Sequence, residues 1–316
     1  QLRREMRLAP LVVLACLVPL AYGWGWEGHQ IVGRIAEGLV NEKAAAQIKS
    51  ILENDSCGPE APCKYGATLS GCASWADDVK KSHEWQWTAP VHYIDSPDSK
   101  DLSTCGYRYN RDCYDHNYGM GAGYCVTGGI NNYTAQLKAG INMLNESDSA
   151  CALKFLTHYV GDVHQPLHVG FTSDRGGNLE TVWWYGNETA KGYDYVLHAL
   201  WDYDIIEKYL DDTYPGKGFT AWEDYAADLL KNITPADQQA WSCQGSVDPT
   251  CVDTWAVESI TDACKYAYRD GDGNDIAFTN GTHLAGKYYS RNIPVVDLRL
   301  RQGGARLAEI LNSIWS

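Results

Sequence analysis

No stretch beyond the first two dozen residues holds the roughly 20 apolar residues that a membrane span needs, so the chain carries no sequence signal for a membrane anchor. Positive charge is also short. With 26 Lys and Arg against 40 Asp and Glu, the formal net charge is −14, which excludes nucleic-acid binding through a broad basic face. None of the eleven cysteines forms a C-x-x-C, which weakens the case for zinc–thiolate sites. No Pro- or Ser-rich linker and no internal repeat divides the 316 residues, so one domain is the economical reading.

The N-terminus is what the rest is not. Met6 and Arg7 lead into an apolar run from Leu8 to Ala21, closed by small residues at Ala21 and Gly23. A basic flank, a short apolar core and a small-residue ending mark a secretory signal peptide over residues 1–23. Cleavage after Gly23 would leave residues 24–316 as a single domain with a net charge near −16, and would make Trp24 the first residue. The freed α-amino group, with a pKa near 8, offers a lone pair to a metal, and His29 follows five residues on.

Export agrees with the cysteines. Cys16 leaves with the signal, and the ten that remain form an even set: Cys57, Cys63, Cys72, Cys105, Cys113, Cys125, Cys151, Cys243, Cys251 and Cys264. Short spacings nominate Cys57–Cys63, Cys113–Cys125 and Cys243–Cys251. Six N-x-S/T sequons, at Asn54, Asn132, Asn145, Asn187, Asn232 and Asn280, fit a secreted glycoprotein.

Periodicity of three and four predicts helices over 28–40, 42–53, 131–145, 150–165, 198–210, 219–231, 253–267 and 283–314, the last split near Pro294. Only Glu180 to Tyr185 reads as a strand, in a hairpin with Lys191 to Tyr195. Residues 96–128, rich in Gly, Tyr, Asp and Cys, read as a disulfide-stapled surface loop. The fold class is therefore all-α with a short β-hairpin.

The chemistry concentrates in Phe155-Leu-Thr-His158-Tyr-Val-Gly-Asp162-Val-His164-Gln-Pro166-Leu-His168. His158 and Asp162, four apart, share a helix face, whereas His164 lies roughly 200° around from Asp162 and points elsewhere. Pro166 ends the helix, so His168 can turn back towards the same centre. His198 and Asp202 form a second pair at the same spacing. Either pair alone is an ordinary surface ion pair. Both lie in apolar, aromatic segments, where charged groups are seldom buried unless paired or metal-bound, and the joint occurrence points to metal. Asp77 with Lys80, and His92 in a hydrophobic, extended stretch, are further candidates. Two attractive signals are refused. Asp270-Gly-Asp-Gly-Asn-Asp275 lacks the glycine and the glutamate of an EF-hand, and Gly303-Gly304 is too short for a phosphate loop.

Trp24-Gly-Trp-Glu-Gly-His29, Trp75-Ala-Asp77-x-x-Lys80, Pro90-Val-His92-Tyr-Ile-Asp95, His158-x3-Asp162-x-His164-Gln-Pro-Leu-His168 and His198-x3-Asp202 stand in the order seen in S1/P1-type nucleases, and the chain most resembles the plant bifunctional endonucleases. The resemblance runs from Trp24 to the Gly303-Gly304-Ala-Arg306 stretch. It implies a mainly helical domain like that of zinc phospholipase C, with three zinc ions. One would be held by Asp77, His92, His158 and Asp162. The α-amino and carbonyl groups of Trp24, with His29 and Asp162, would hold a second, and His168, His198 and Asp202 the third. His83, His116, His164 and His283 are left over. The resemblance further implies a secreted, monomeric endonuclease and 3′-nucleotidase acting on RNA, single-stranded DNA and 3′-nucleotides to leave 5′-phosphates. A zinc-activated hydroxide would attack phosphorus, with Asp77 and Asp162 placing the metals, Lys80 neutralising the phosphate, Tyr93 stacking on a base and Asp95 bonding its edge. An extracellular or vacuolar location would suit it. A phospholipase C-like phosphodiesterase and a non-catalytic zinc glycoprotein are the alternatives. One departure concerns disulfides: relatives tend to carry a cysteine near Gly33, so here Cys72 is left to Cys151 or to the Cys57/Cys63 insertion.

Overall fold

The computed structural model describes residues 23–58, 63–115, 119–140, 149–187, 189–190, 193–244 and 246–316. The predicted signal segment 1–22, His116 and Asn145 lie outside them. The chain is mainly helical, with three two-stranded sheets among the described residues. No described helix is long and apolar enough to cross a membrane.

The helix Ser149–His164 runs through the centre, and every residue from Ala152 to His164 is buried. Such all-round burial is why its sequence reads as continuously apolar. Around it pack the helices Trp26–Leu39, Val126–Ala139, Pro249–Asp262 and Gly286–Ile314, and Ala221–Lys231 lies against the first of these. Polar caps set several boundaries. Asn41 accepts from Ala44 N at the start of Glu42–Glu53, and Thr234 forms a reciprocal capping box with Asp237. Gly140, at φ 57°, closes Val126–Ala139, a left-handed cap that costs glycine little.

The C-terminal helix differs from expectation. It passes through Pro294 unbroken from Gly286 to Ile314. Proline there forfeits one backbone hydrogen bond. The long buried stripe Tyr288, Val295, Val296, Leu300, Leu307 and Leu311 outweighs that loss by keeping both halves on one core. Gly303-Gly304 belongs to this packing and not to a ligand loop: a Cβ on Gly304 would lie 2.4 Å from Ile35 Cγ2.

The expected hairpin is also corrected. Val182–Trp184 pairs in parallel with Thr282–Leu284, while Thr189–Ala190 pairs with Tyr193–Asp194. Between the two predicted arms runs the bond from Val182 N to Tyr195 O at 2.9 Å, with the antiparallel bridge Thr181↔Val196 beside it, and no longer ladder forms among the described residues. A parallel partner a hundred residues away leaves no local turn signal. The 96–128 loop does contain a short helix, Tyr109–Asp112, and the strand pair Tyr114–Asp115 with Gly121–Ala122.

Five disulfides join the ten cysteines: Cys57–Cys151, Cys63–Cys72, Cys105–Cys264, Cys113–Cys125 and Cys243–Cys251. Two of the short-spacing pairs stand. Cys57–Cys63 is corrected, because Cys57 crosses to the start of the central helix. Cys72 takes Cys63, within the insertion. Gly33 cannot supply a partner: a Cβ on it would lie 2.7 Å from the backbone of Ser70.

Candidate metal centre

Three groups of ligands converge on the central helix: His29, His158 and Asp162; Asp77, His92 and His158; and His168, His198 and Asp202. All are buried, and within each group the ligand atoms lie within 4.8 Å of one another. One turn of helix brings His158 Nε2 to 3.2 Å from Asp162 Oδ2. Asp162 is the hub. Its Oδ1 lies 3.3 Å from His29 Nε2, and its Oδ2 lies 3.0 Å from His92 Nδ1.

Each group comes from different local structure. Asp77 and Lys80 sit on the turn that begins at Trp75, buried, with Nζ 2.5 Å from Asp77 Oδ1. His92 ends a 3-10 helix, Gln86–His92, so the extended segment begins only at Tyr93. Ile94 and Ser96 then bond to the carbonyls of His168 and Gly170 and are buried; Tyr93 and Asp95 alternate with them on the half-buried face. His198 and Asp202 straddle the start of a π-helical turn, Leu200–Asp204, a distortion that often marks function. Trp24 is fully buried, and Gly23 lies so close to Asp162 and His29 that a Cβ on it would sit 1.7 Å from Asp162 Oδ1 and 2.5 Å from His29 Nε2.

Hydrogen bonds turn the imidazoles inward. His158 Nδ1 donates to Ala73 O, His168 Nδ1 to His92 O and His198 Nδ1 to Gly176 O, at 2.7, 2.7 and 2.6 Å. Each leaves Nε2 facing the cluster. His158 Nε2 then meets His92 Nδ1 at 3.0 Å, and both meet Asp162. His29 Nδ1 and Nε2, His92 Nε2 and Asp162 Oδ1 are buried without hydrogen-bond partners. Lone pairs and carboxylates so crowded repel unless a cation sits between them, and the all-nitrogen-and-oxygen donor set suits zinc. The residues fit the group.

Electrostatics tell the same story. Burial opposes charge on Asp77 and Asp162, yet Lys80 and His158, respectively, hold these carboxyls well below the usual range. Burial pulls His29 down to about 4 and His92 to about 3. It also pulls on His158, but Asp162 and Asp77 outweigh it and lift that imidazole to about 10. At Asp202 burial outweighs the bond from Gln165 and the charge of Lys80 and raises the carboxyl well above normal.

Gln165 escaped the sequence reading. Fully buried, it donates from Nε2 to Asp202 Oδ1 at 2.6 Å while its Oε1 accepts from Leu167 N at 2.5 Å. Because Leu167 occupies the amide oxygen, only the NH₂ can face Asp202. Its place between His164 and Pro166 was visible; its direction was not. His164 is not a ligand. Its Nδ1 donates to Val160 O and its Nε2 meets Arg306, beside the Arg299, Arg306 and Glu258 network. His83 and His283 lie outside the three groups, and Asp270 to Asp275 forms a turn tied by Asp270 to Asp272 and Asn274.

A helical framework with two ligand groups joined at His158 of the central helix, and a third beside them from His168, His198 and Asp202, defines a protein suited to holding several divalent ions side by side. The sequence model of the S1/P1 nuclease family matches residues 24–316. Endonuclease 4 of Arabidopsis thaliana is 40% identical over 98% of this chain and 94% of its own. Nuclease S1 of Aspergillus oryzae is 31% identical, covering 98% of both, and nuclease P1 of Penicillium citrinum 29% identical over 92% of this chain and 97% of its own. The chain belongs to the S1/P1 nuclease family and is a hydrolase of that type.

Proposed function

We propose that this protein is a secreted, zinc-dependent endonuclease with 3′-nucleotidase activity, acting on RNA and single-stranded DNA and leaving 5′-phosphates. The observation that carries the reading is the sharing of His158 between two ligand groups, with Asp162 Oδ2 3.0 Å from His92 of the second, which sets the metal positions side by side. Zinc would be held by Asp77, His92, His158 and Asp162; by His29, Asp162 and the Trp24 terminus; and by His168, His198 and Asp202. Bound there, it supplies Lewis-acid activation of water and charge stabilisation at phosphorus.

The chain's own groups do the rest. Asp162 orients the His29, His92 and His158 imidazoles that face it, and Gln165 holds Asp202 with one oxygen turned to His198. Lys80, paired with Asp77, brings positive charge to a centre that must accept phosphate in an acidic protein. Tyr93 stacks on an unpaired base and Asp95 bonds its edge, which favours single strands. The Gly23–Trp24 junction abuts Asp162 and His29, so cleavage there would present the new amino group to both. Asn54, Asn132, Asn187, Asn232 and Asn280 are exposed, which supports glycosylation. We place the protein in the extracellular space or vacuole, as a monomer.

The test is a paired one on secreted, N-terminally sequenced protein: bound zinc, then single-stranded RNA hydrolysis before and after chelation. Three zincs on a Trp24 start, with activity lost to chelator and restored by zinc, is the expected result. Zinc without hydrolysis of RNA or DNA sinks the proposal, and turnover of phospholipid in its place assigns the phospholipase reading.

A further inference from the structure

Phe219 is 56% exposed, the most exposed large apolar side chain among the described residues. The chain has four phenylalanines, and Phe155 and Phe171 are fully buried. Phe219 does not stand alone. It stacks on Trp26 with ring centroids 4.5 Å apart and planes 13° from parallel. Tyr65, 39% exposed, lies 5.8 Å from Trp26 and 5.5 Å from Phe219. Three rings from separate parts of the chain thus make one aromatic ledge, open to solvent on its Phe219 and Tyr65 side.

The ledge adjoins the metal centre from two directions. Trp26 begins the helix on which His29 follows one turn later, and residues three apart on a helix are neighbours. On the other side, Lys64 next to Tyr65 reaches Asp78 Oδ2 at 2.8 Å, and Lys81 reaches Asp78 Oδ1 at 3.2 Å. Asp78 follows the ligand Asp77. Two lysines thus stand at one carboxylate beside the ledge, in a chain of net charge −14. Aromatic faces with adjacent lysines, beside a phosphodiester-cleaving centre, are the elements that single strands stack on.

We propose that Trp26, Tyr65 and Phe219 form a second base-stacking subsite, distinct from Tyr93 and Asp95, that takes an unstacked nucleobase of the bound strand with its phosphate towards Lys64 and Lys81. The inference rests on the nuclease reading. It assigns the ledge to substrate length and not to chemistry: a long strand uses it, and a substrate confined to the metal centre does not.

The test compares zinc-loaded wild type, Phe219→Ala and Phe219→Trp on a single-stranded dodecadeoxynucleotide and on a 3′-mononucleotide. Binding of a fluorescent phosphorothioate dodecamer, read by anisotropy, serves as a measure independent of turnover. Phe219→Ala should raise KM and Kd for the dodecamer about tenfold, as expected for one lost stacking contact, with kcat and the mononucleotide KM unchanged. Phe219→Trp should restore both, and Tyr65→Ala should act in the same direction with a smaller change. Unchanged dodecamer KM and Kd in Phe219→Ala overturn the subsite. So does an equal change on both substrates, which marks a structural role, or a wild-type dimer in sedimentation that Phe219→Ala dissolves, which makes the ledge a self-association surface. A wild type that cleaves neither substrate and does not bind the dodecamer fails the nuclease reading itself, and the subsite with it.

Discussion

The two His-x3-Asp pairs look alike in the sequence and are built differently. His158 and Asp162 lie on an uninterrupted, wholly buried helix, where one turn sets their spacing and the His29, His92 and His168 rings surround them. His198 and Asp202 lie across a π-helical turn at the edge of a loop-rich region, and they depend on Gly176 O and Gln165 Nε2 for orientation. The charges differ as well. His158 and His168 keep Asp162 ionised against its burial, whereas burial dominates at Asp202 and pushes its carboxyl up, with Asp77 and Asp162 adding to the effect. On a regular helix one turn sets the spacing of the pair, and one brace, Ala73 O on His158, turns the ring. An irregular turn needs braces from elsewhere in the chain.

Substitution at the hub is the most direct way to break this comparison. Asp162→Asn keeps the shape and removes the charge of the carboxylate that the proposed assignment gives to two zincs, so two of the three proposed zincs should be lost, with activity down roughly a thousandfold or more. Metal analysis and turnover on single-stranded RNA check it. Asp202→Asn should cost one zinc and leave two; loss of all three would show that the pairs are not separable.

Smaller effects sharpen the difference. Gln165→Leu removes the brace on Asp202 alone and should weaken one zinc about 10- to 100-fold in a chelator competition, leaving the others in place. An equal loss across all sites would mean that the whole centre had shifted. The smallest effect lies in the loop that carries Gly176. Asp174 is buried there, and burial, reinforced by Asp98, raises its carboxyl to about 6 despite bonds from Tyr268 and the Gly176 and Gly177 amides. A folded-state pKa above the unfolded value of 3.8 gives stability that is full below about pH 4 and lost as pH rises through 6. Asp174→Asn should therefore gain about 2 kcal/mol on the wild type between pH 4 and pH 7.5, measured by denaturant unfolding. A pH-independent difference would refute the assignment.

Much of the centre was legible. The i, i+4 spacing placed His158 with Asp162, and the angle of a helix correctly turned His164 away, towards Arg306. The central helix was expected within a residue of its ends. What stayed hidden involved partners distant in sequence. The parallel pairing of Val182–Trp184 with Thr282–Leu284, the bonds Cys57–Cys151 and Cys105–Cys264, and the contact of Gly304 with Ile35 each join segments with no shared local pattern. The unbroken helix through Pro294 belongs here too, since a buried stripe on both sides overrode a local rule.

The sequence by itself picked out the candidate residues that converge in the fold and the helical face on which the first pair lies, because periodicity and side-chain chemistry are local properties. Only the tertiary structure decided that His29 and His92 meet Asp162, that Asp77 meets His92 and His158, that Gln165 faces Asp202, and that Trp26, Tyr65 and Phe219 share one surface. Those meetings follow from packing, and packing is settled by the burial of whole helices against one another, which no window of residues contains.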